Sequence, residues 1–234
     1  MKNCLYKLGI IATVLTCGSM AMAYPTFNAE TGIVALPNAL TAKDGSLAIA
    51  ADVMFTDTNT VKARVIYGLN NRIEVGASLT AGNTNGGSIS AKYRITDDVS
   101  RFNFAAGASL TFDNHTDNVL DAYLAATQAF ATVTDARHPI LGTLGVHLIN
   151  VNSDNTLRPF VGVQIPMGNR TQLGAEYQLK GGDLFTDPLT SVVLRHNFDQ
   201  AWTGQVGATN AIGGGSGDTH TYRLFIGAQY TFAK

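Results

Sequence analysis

The chain has 234 residues, 45% of them hydrophobic and 14% charged, with a formal charge of −1 at pH 7. Typical soluble domains carry roughly 25% charged residues, and a chain this poor in charge is not a solvated disordered one. The balance also lacks the concentrated basic surface that nucleic acid requires, and a mean hydropathy of +0.08 is too low for a bundle of membrane helices.

Residues 1–23 read as a secretory signal peptide: Lys2 and Lys7, an apolar run over 8–16, and Ala21-Met22-Ala23 as a cleavage site after Ala23. The run is shorter than the roughly 20 residues a spanning helix needs. A lipid anchor on Cys17 is the alternative, but Val14-Leu15-Thr16 fits a lipobox poorly. Both cysteines, Cys4 and Cys17, fall in this segment, so the mature chain from Tyr24 has no disulfide framework. Without Lys2 and Lys7, 14 basic residues face 17 acidic ones, a charge of about −3.

Residues 24–44 have no regular period. They contain Thr31-Gly32-Ile33-Val34-Ala35-Leu36-Pro37-Asn38-Ala39 and end at Asp44-Gly45. Gly32 and Pro37 suit a shaped strap across the periplasmic mouth of a barrel, able to narrow a pore. The T-G-x-x-x-x-P-x-A pattern resembles the entrance of YjbH-type outer-membrane proteins, which are associated with exopolysaccharide.

From Gly45 onward the period is two. Val61, Ala63, Val65 and Tyr67 alternate with Lys62 and Arg64, and Val75, Ala77 and Leu79 alternate with Glu74, Gly76 and Ser78. The same form recurs over 45–55, 60–69, 73–81, 87–96, 102–112, 119–131, 140–150, 158–168, 171–180, 189–198, 202–212 and 220–232. Within 119–131, Gln128 and Phe130 share a parity with Leu120 and Leu124, which predicts a bulge. The expected fold is all-β, an antiparallel up-and-down transmembrane barrel of about twelve strands. The expected division is signal peptide 1–23, strap 24–44 and barrel 45–234.

A soluble sandwich or barrel with its apolar faces turned inward is the alternative. Against it stand strand lengths that suit a tilted bilayer crossing and aromatics gathered at strand ends. Tyr67, Tyr93, Phe102, Phe104, Phe198, Trp202, Tyr230 and Phe232 fall near one rim, and Phe55, Phe112, Tyr177 and Tyr222 near the other. At the C-terminus, Gly227, Tyr230 and Phe232 resemble the assembly signal of bacterial outer-membrane proteins. That likeness implies outer-membrane lipid and the outer-membrane assembly machinery as partners. Phe225, where a polar residue is usual, and Ala233-Lys234 beyond the aromatic depart from the pattern.

No enzymatic constellation emerges. His115, His138, His147, His196 and His220 have no Ser two residues away, as outer-membrane phospholipases would, and no metal-ligand spacing. His147 and Ser78 share the inward parity without any sign of a base and nucleophile. The run 213–217 lacks the lysine of a phosphate loop, and 113–117 lacks calcium-loop spacing. No cofactor and no metal are expected.

With the apolar parity on lipid, the lumen is lined by Asp52, Lys62, Arg64, Glu74, Lys92, Arg94, Glu176, Lys180, Arg195 and Arg223, seven basic to three acidic side chains. Hairpin register sets Asp52 opposite Arg64 or Lys62, and Glu74 level with Arg94. Two readings follow. In one, paired charges make a polar core. In the other, a small diffusion channel uses its basic surplus to favour anionic or small polar solutes. A third class is a non-conducting barrel serving envelope integrity or polysaccharide export through protein contacts. The expected loops, 56–59, 82–86, 113–118, 152–157, 181–188 and 213–219, are too short for an adhesin or for a constriction reaching far into the pore.

Overall fold

A computed structural model describes residues 24–55, 59–82, 85–97, 102–113, 118–132, 139–181, 185–211 and 222–232. The expected signal peptide, residues 1–23, and His115, His138, His220 and Ala233-Lys234 lie outside them.

Twelve strands form the wall: β1 (Leu47–Met54), β2 (Thr60–Gly68), β3 (Ile73–Ala81), β4 (Gly86–Arg94), β5 (Phe102–Asp113), β6 (Val119–Thr132), β7 (Pro139–Val151), β8 (Asp154–Met167), β9 (Thr171–Gln178), β10 (Leu189–Asn197), β11 (Trp202–Thr209) and β12 (Arg223–Phe232). Each pairs antiparallel with the next, and β1 pairs with β12 to close the barrel. The count is even, so β1 begins and β12 ends at one rim, here the terminal rim. The opposite end is the loop rim.

The pleat sorts the side chains in the sense opposite to a soluble barrel. Outward Leu79 and Leu144 are 65% and 64% exposed, while inward Lys92 and Arg195 are each 1% exposed. Large apolar side chains left open around the whole wall need lipid against them. At the terminal rim Trp202, Tyr230 and Phe232 stack edge to face, with ring centroids 4.9 and 4.5 Å apart.

The expected irregularity in β6 is present: register with β7 shifts between Ala129 and Thr132. The boundary furthest from expectation is the start of β8. β8 begins at Asp154 rather than near 158, because Asn152 (φ 50°) and Ser153 (φ 74°) form a two-residue turn with both residues left-handed. That geometry matches the twist of a hairpin, so pairing continues up to the turn.

Residues 24–44 differ most from expectation. Residues 24–42 do not lie across the mouth; they fold inside the barrel as a plug with two tight turns, closed by the bridges Pro25↔Thr31 and Gly32↔Pro37, and Lys43 and Asp44 are exposed. A Cβ on Gly32 would stand 2.2 Å from the Leu36 carbonyl oxygen, so only glycine fits. The core lies between plug and wall. Phe27, Ile33 and Val34 pack on Met54, Val193 and Phe225. Leu36 and Ala39 pack on Ala105, Tyr123 and Phe160, and Ala29 and Ala42 on Ala48 and Ile66.

The wall makes room with inward glycines. A Cβ on Gly76 would stand 1.8 Å from the Ala29 carbonyl oxygen, and Cβ atoms on Gly162 and Gly174 would strike Ile33 at 2.3 and 2.9 Å. Gly76→Ala is therefore expected to destabilise the barrel by about 1–3 kcal/mol, as overpacking does. Ala77→Val, on the lipid side of the same strand, is expected to change stability by under about 0.5 kcal/mol. Urea unfolding in lipid vesicles measures both.

Candidate functional site

The lumen is a set of wall side chains meeting the plug's backbone. Asp52 on β1 faces Lys62 across the hairpin, yet forms its ion pair with Arg64 and also accepts from Gln205. Gly227 opposite it has no side chain, and a Cβ there would stand 1.8 Å from Asp52 Oδ1. Arg64 Nη1 donates to the Pro25 carbonyl at 2.9 Å. Lys62 Nζ lies 5.0 Å from the centroid of the Phe27 ring.

Glu74 on β3 pairs with Lys92 at 2.9 Å, its neighbour across the β3–β4 ladder, rather than with Arg94. Arg94 donates to the Asn71 carbonyl near the terminal rim. Glu74 also accepts from Thr31 N and Ala42 N, each at 2.7 Å, and from the Thr31 hydroxyl. Lys92 Nζ in turn donates to the carbonyls of Thr31 and Leu40 at 2.7 and 3.0 Å.

On the far side, Glu176 on β9 accepts from three consecutive amides, Val34, Ala35 and Leu36, at 3.0, 2.8 and 3.2 Å. Arg195 on β10 donates to the Ile33 carbonyl and stacks over Tyr24 at 4.2 Å. Thr127 accepts from Ala39 N at 2.8 Å. Most inward side chains between the rims are buried as a result. Among the described residues Lys62 and Arg195 make no ion pair.

Two of the expected lumen residues lie at or beyond the loop rim. Lys180 is exposed, because β9 ends at Gln178, and Arg223 is half-buried at the loop rim as the first residue of β12. A buried cation went unforeseen: Arg158, at the edge of the expected strand 158–168 but well inside β8, donates to the carbonyls of Leu179 and Asp187 at 3.0 and 3.1 Å. It stacks on Phe185 at 4.5 Å, which draws part of the 179–188 connection against the lumen wall at the loop rim. His147 and Asp121 pair at 2.7 Å, while Ser78 bonds Ser88 at 2.7 Å.

Glu30, on the plug, is buried with its Oε2 lacking a hydrogen-bond partner. Burial pushes its carboxyl from 4.5 up to about 8; Lys92 and Tyr123 oppose the shift, and Asp121 and Glu74 add to it. A raised carboxyl favours the seated plug most below about pH 4.5 and loses that contribution as pH climbs to about 8. Hydrogen exchange at the amides of residues 33–36 should therefore lose protection between about pH 5 and 8, and Glu30→Gln should flatten that dependence.

No family model and no curated protein matches the chain. Among solved structures it is similar to the KdgM porin, with a TM-score of 0.65 at 18% identity over 80% of this chain and 99% of that one. It is also similar to the NanC porin, with a TM-score of 0.62 at 12% identity over 79% and 98%. A third likeness is to the outer membrane protein Omp33 of Acinetobacter baumannii, with a TM-score of 0.54 at 10% identity over 81% and 99%. KdgM is also known in complex with disordered oligogalacturonate. The likeness of residues 31–39 to YjbH-type proteins finds no support among these matches. What they share with this chain is the fold of outer-membrane β-barrel porins, which in this chain is a closed, twelve-strand, antiparallel barrel.

Proposed function

We propose that the chain is a porin-like diffusion channel of the bacterial outer membrane, closed in the state described by its own residues 24–42, and selective for anionic or small polar solutes. The observation that carries this reading is the lumen wall. Lys62 and Arg195 point inward without a carboxylate partner among the described residues, in a barrel whose outer face is built for lipid. Fixed charge in a confined space raises the local concentration of counter-ions. Similarity to KdgM, known with an oligogalacturonate, makes acidic saccharides a reasonable class to try.

Export by a signal peptide cleaved after Ala23, and engagement of the assembly machinery through Gly227, Tyr230 and Phe232, belong to the same proposal. No catalytic role is included in it. His147 is committed to Asp121, and Ser78 to Ser88.

The burial of most inward side chains supports a second reading, a non-conducting barrel that acts through protein contacts, with polysaccharide export one such role. Planar-bilayer recordings under a salt gradient separate the two. The channel reading expects intermittent openings, a reversal potential on the anion side, and a smaller anion preference in Lys62→Gln. Cation preference, or silence both in the natural sequence and after Gly76→Ala unseats the plug, overturns it.

A further inference from the structure

Nothing in a fixed core requires so many ions. Breaking a buried ion pair is costly, but replacing one with packed apolar groups is often neutral or stabilising, so such groups are weak evidence of a stability role. Here the ions concentrate on one job. Glu74 and Glu176 lie on β3 and β9, six strands apart in either direction around the closed barrel, and so face each other across it. Between them they accept from six plug donors: Thr31 N and Oγ1 and Ala42 N on one side, and Val34 N, Ala35 N and Leu36 N on the other.

The seated state also leaves polar atoms without partners. Glu30 Oε2, Arg64 Nε and Arg195 Nη1 are buried and unsatisfied. Water would solvate all of them in an unplugged lumen, so release relieves a cost that seating imposes. The plug joins the barrel covalently only at its C-terminal end, through exposed Lys43 and Asp44 and a left-handed Gly45 (φ 68°), a short tether that can act as a hinge.

We infer that residues 24–42 are a reversible plug, latched from opposite walls by Glu74 and Glu176, and that loosening the latch opens the lumen. This deepens the channel reading and rests on it for the consequence of opening; plug movement itself does not depend on conduction. Glutamine at either latch position replaces one acceptor oxygen with an amide donor that faces other donors, and so weakens the grip.

The test uses the chain from Tyr24 to Lys234 with a single reporter, Ala39→Cys, a buried plug position in a sequence whose only cysteines, Cys4 and Cys17, fall within residues 1–23. Purified protein lacking residues 1–23 is reconstituted in vesicles and exposed to a small anionic methanethiosulfonate, and planar-bilayer recordings run in parallel. Glu74→Gln/Glu176→Gln is expected to speed labelling at least tenfold and to lengthen open time. Thr31→Val, which keeps the wall intact and removes one plug donor, is expected to speed labelling about threefold. Both variants must keep the fast-migrating folded band on unheated gels. Should the double variant fail that check, Thr31→Val carries the test alone.

Faster labelling with no current supports the latch and counts against the channel. Current with labelling unchanged within twofold in every folded variant overturns the latch and leaves the channel reading standing. Unchanged labelling and no current overturns the latch, and overturns the channel as well when Gly76→Ala is also silent.

Discussion

A bilayer admits no unpaired backbone and few charges, and this constraint organises the molecule. Closing the sheet removes its edges, and the pleat then leaves one face of every strand for lipid and one for the lumen. Every ionisable side chain on a strand between the rims must turn inward, into a space only as wide as twelve strands allow. There Asp52 meets Arg64 and Glu74 meets Lys92. Glu176 has no cation in an ion pair among the described residues and is satisfied by the plug's amides instead.

The plug thus has a dual role. Its backbone supplies donors and carbonyls that the wall ions need, and its apolar side chains meet inward Met54, Val193, Tyr123, Phe160 and Phe225. Phe225 is unusual for an inward position near the C-terminus, and Phe27 explains it: the two rings meet edge to face at 5.5 Å. Gly227, too, has a local reason besides any part in assembly, since the Asp52 carboxylate occupies the space a side chain would fill.

The strands were legible because period-two alternation is a direct imprint of a two-faced wall; the shift in β6 falls beyond Ala129, while Gln128 and Phe130 keep the outward parity of Leu120 and Leu124. The position of residues 24–44 was not legible, because a plug held by backbone hydrogen bonds and tight turns has no period. Its trace lay on the other side of the contact, in Gly76, Gly162 and Gly174, inward-parity residues with no side chain to face solute. Register decided the rest. Glu74 meets Lys92 rather than Arg94 because the β3–β4 register sets those two opposite each other, and Arg158, the first residue of the expected strand 158–168, lies well inside β8 because the Asn152-Ser153 turn lets pairing start at Asp154. The motif Thr31-Gly32, Pro37 and Ala39 has a physical meaning in this chain: a donor pair for Glu74, a position without room for Cβ, a bridge partner, and an amide for Thr127.

The central claim is that residues 24–42 occupy the lumen. Ala39 N lies 2.8 Å from Thr127 Oγ1, which makes the two positions neighbours in the seated state, as a cysteine cross-link requires. In Ala39→Cys/Thr127→Cys, expressed in a bacterial outer membrane and mildly oxidised, near-complete intramolecular disulfide formation is the predicted result, read by peptide mapping. No disulfide in correctly folded barrels, with both thiols freely labelled from the aqueous phase, would contradict the account.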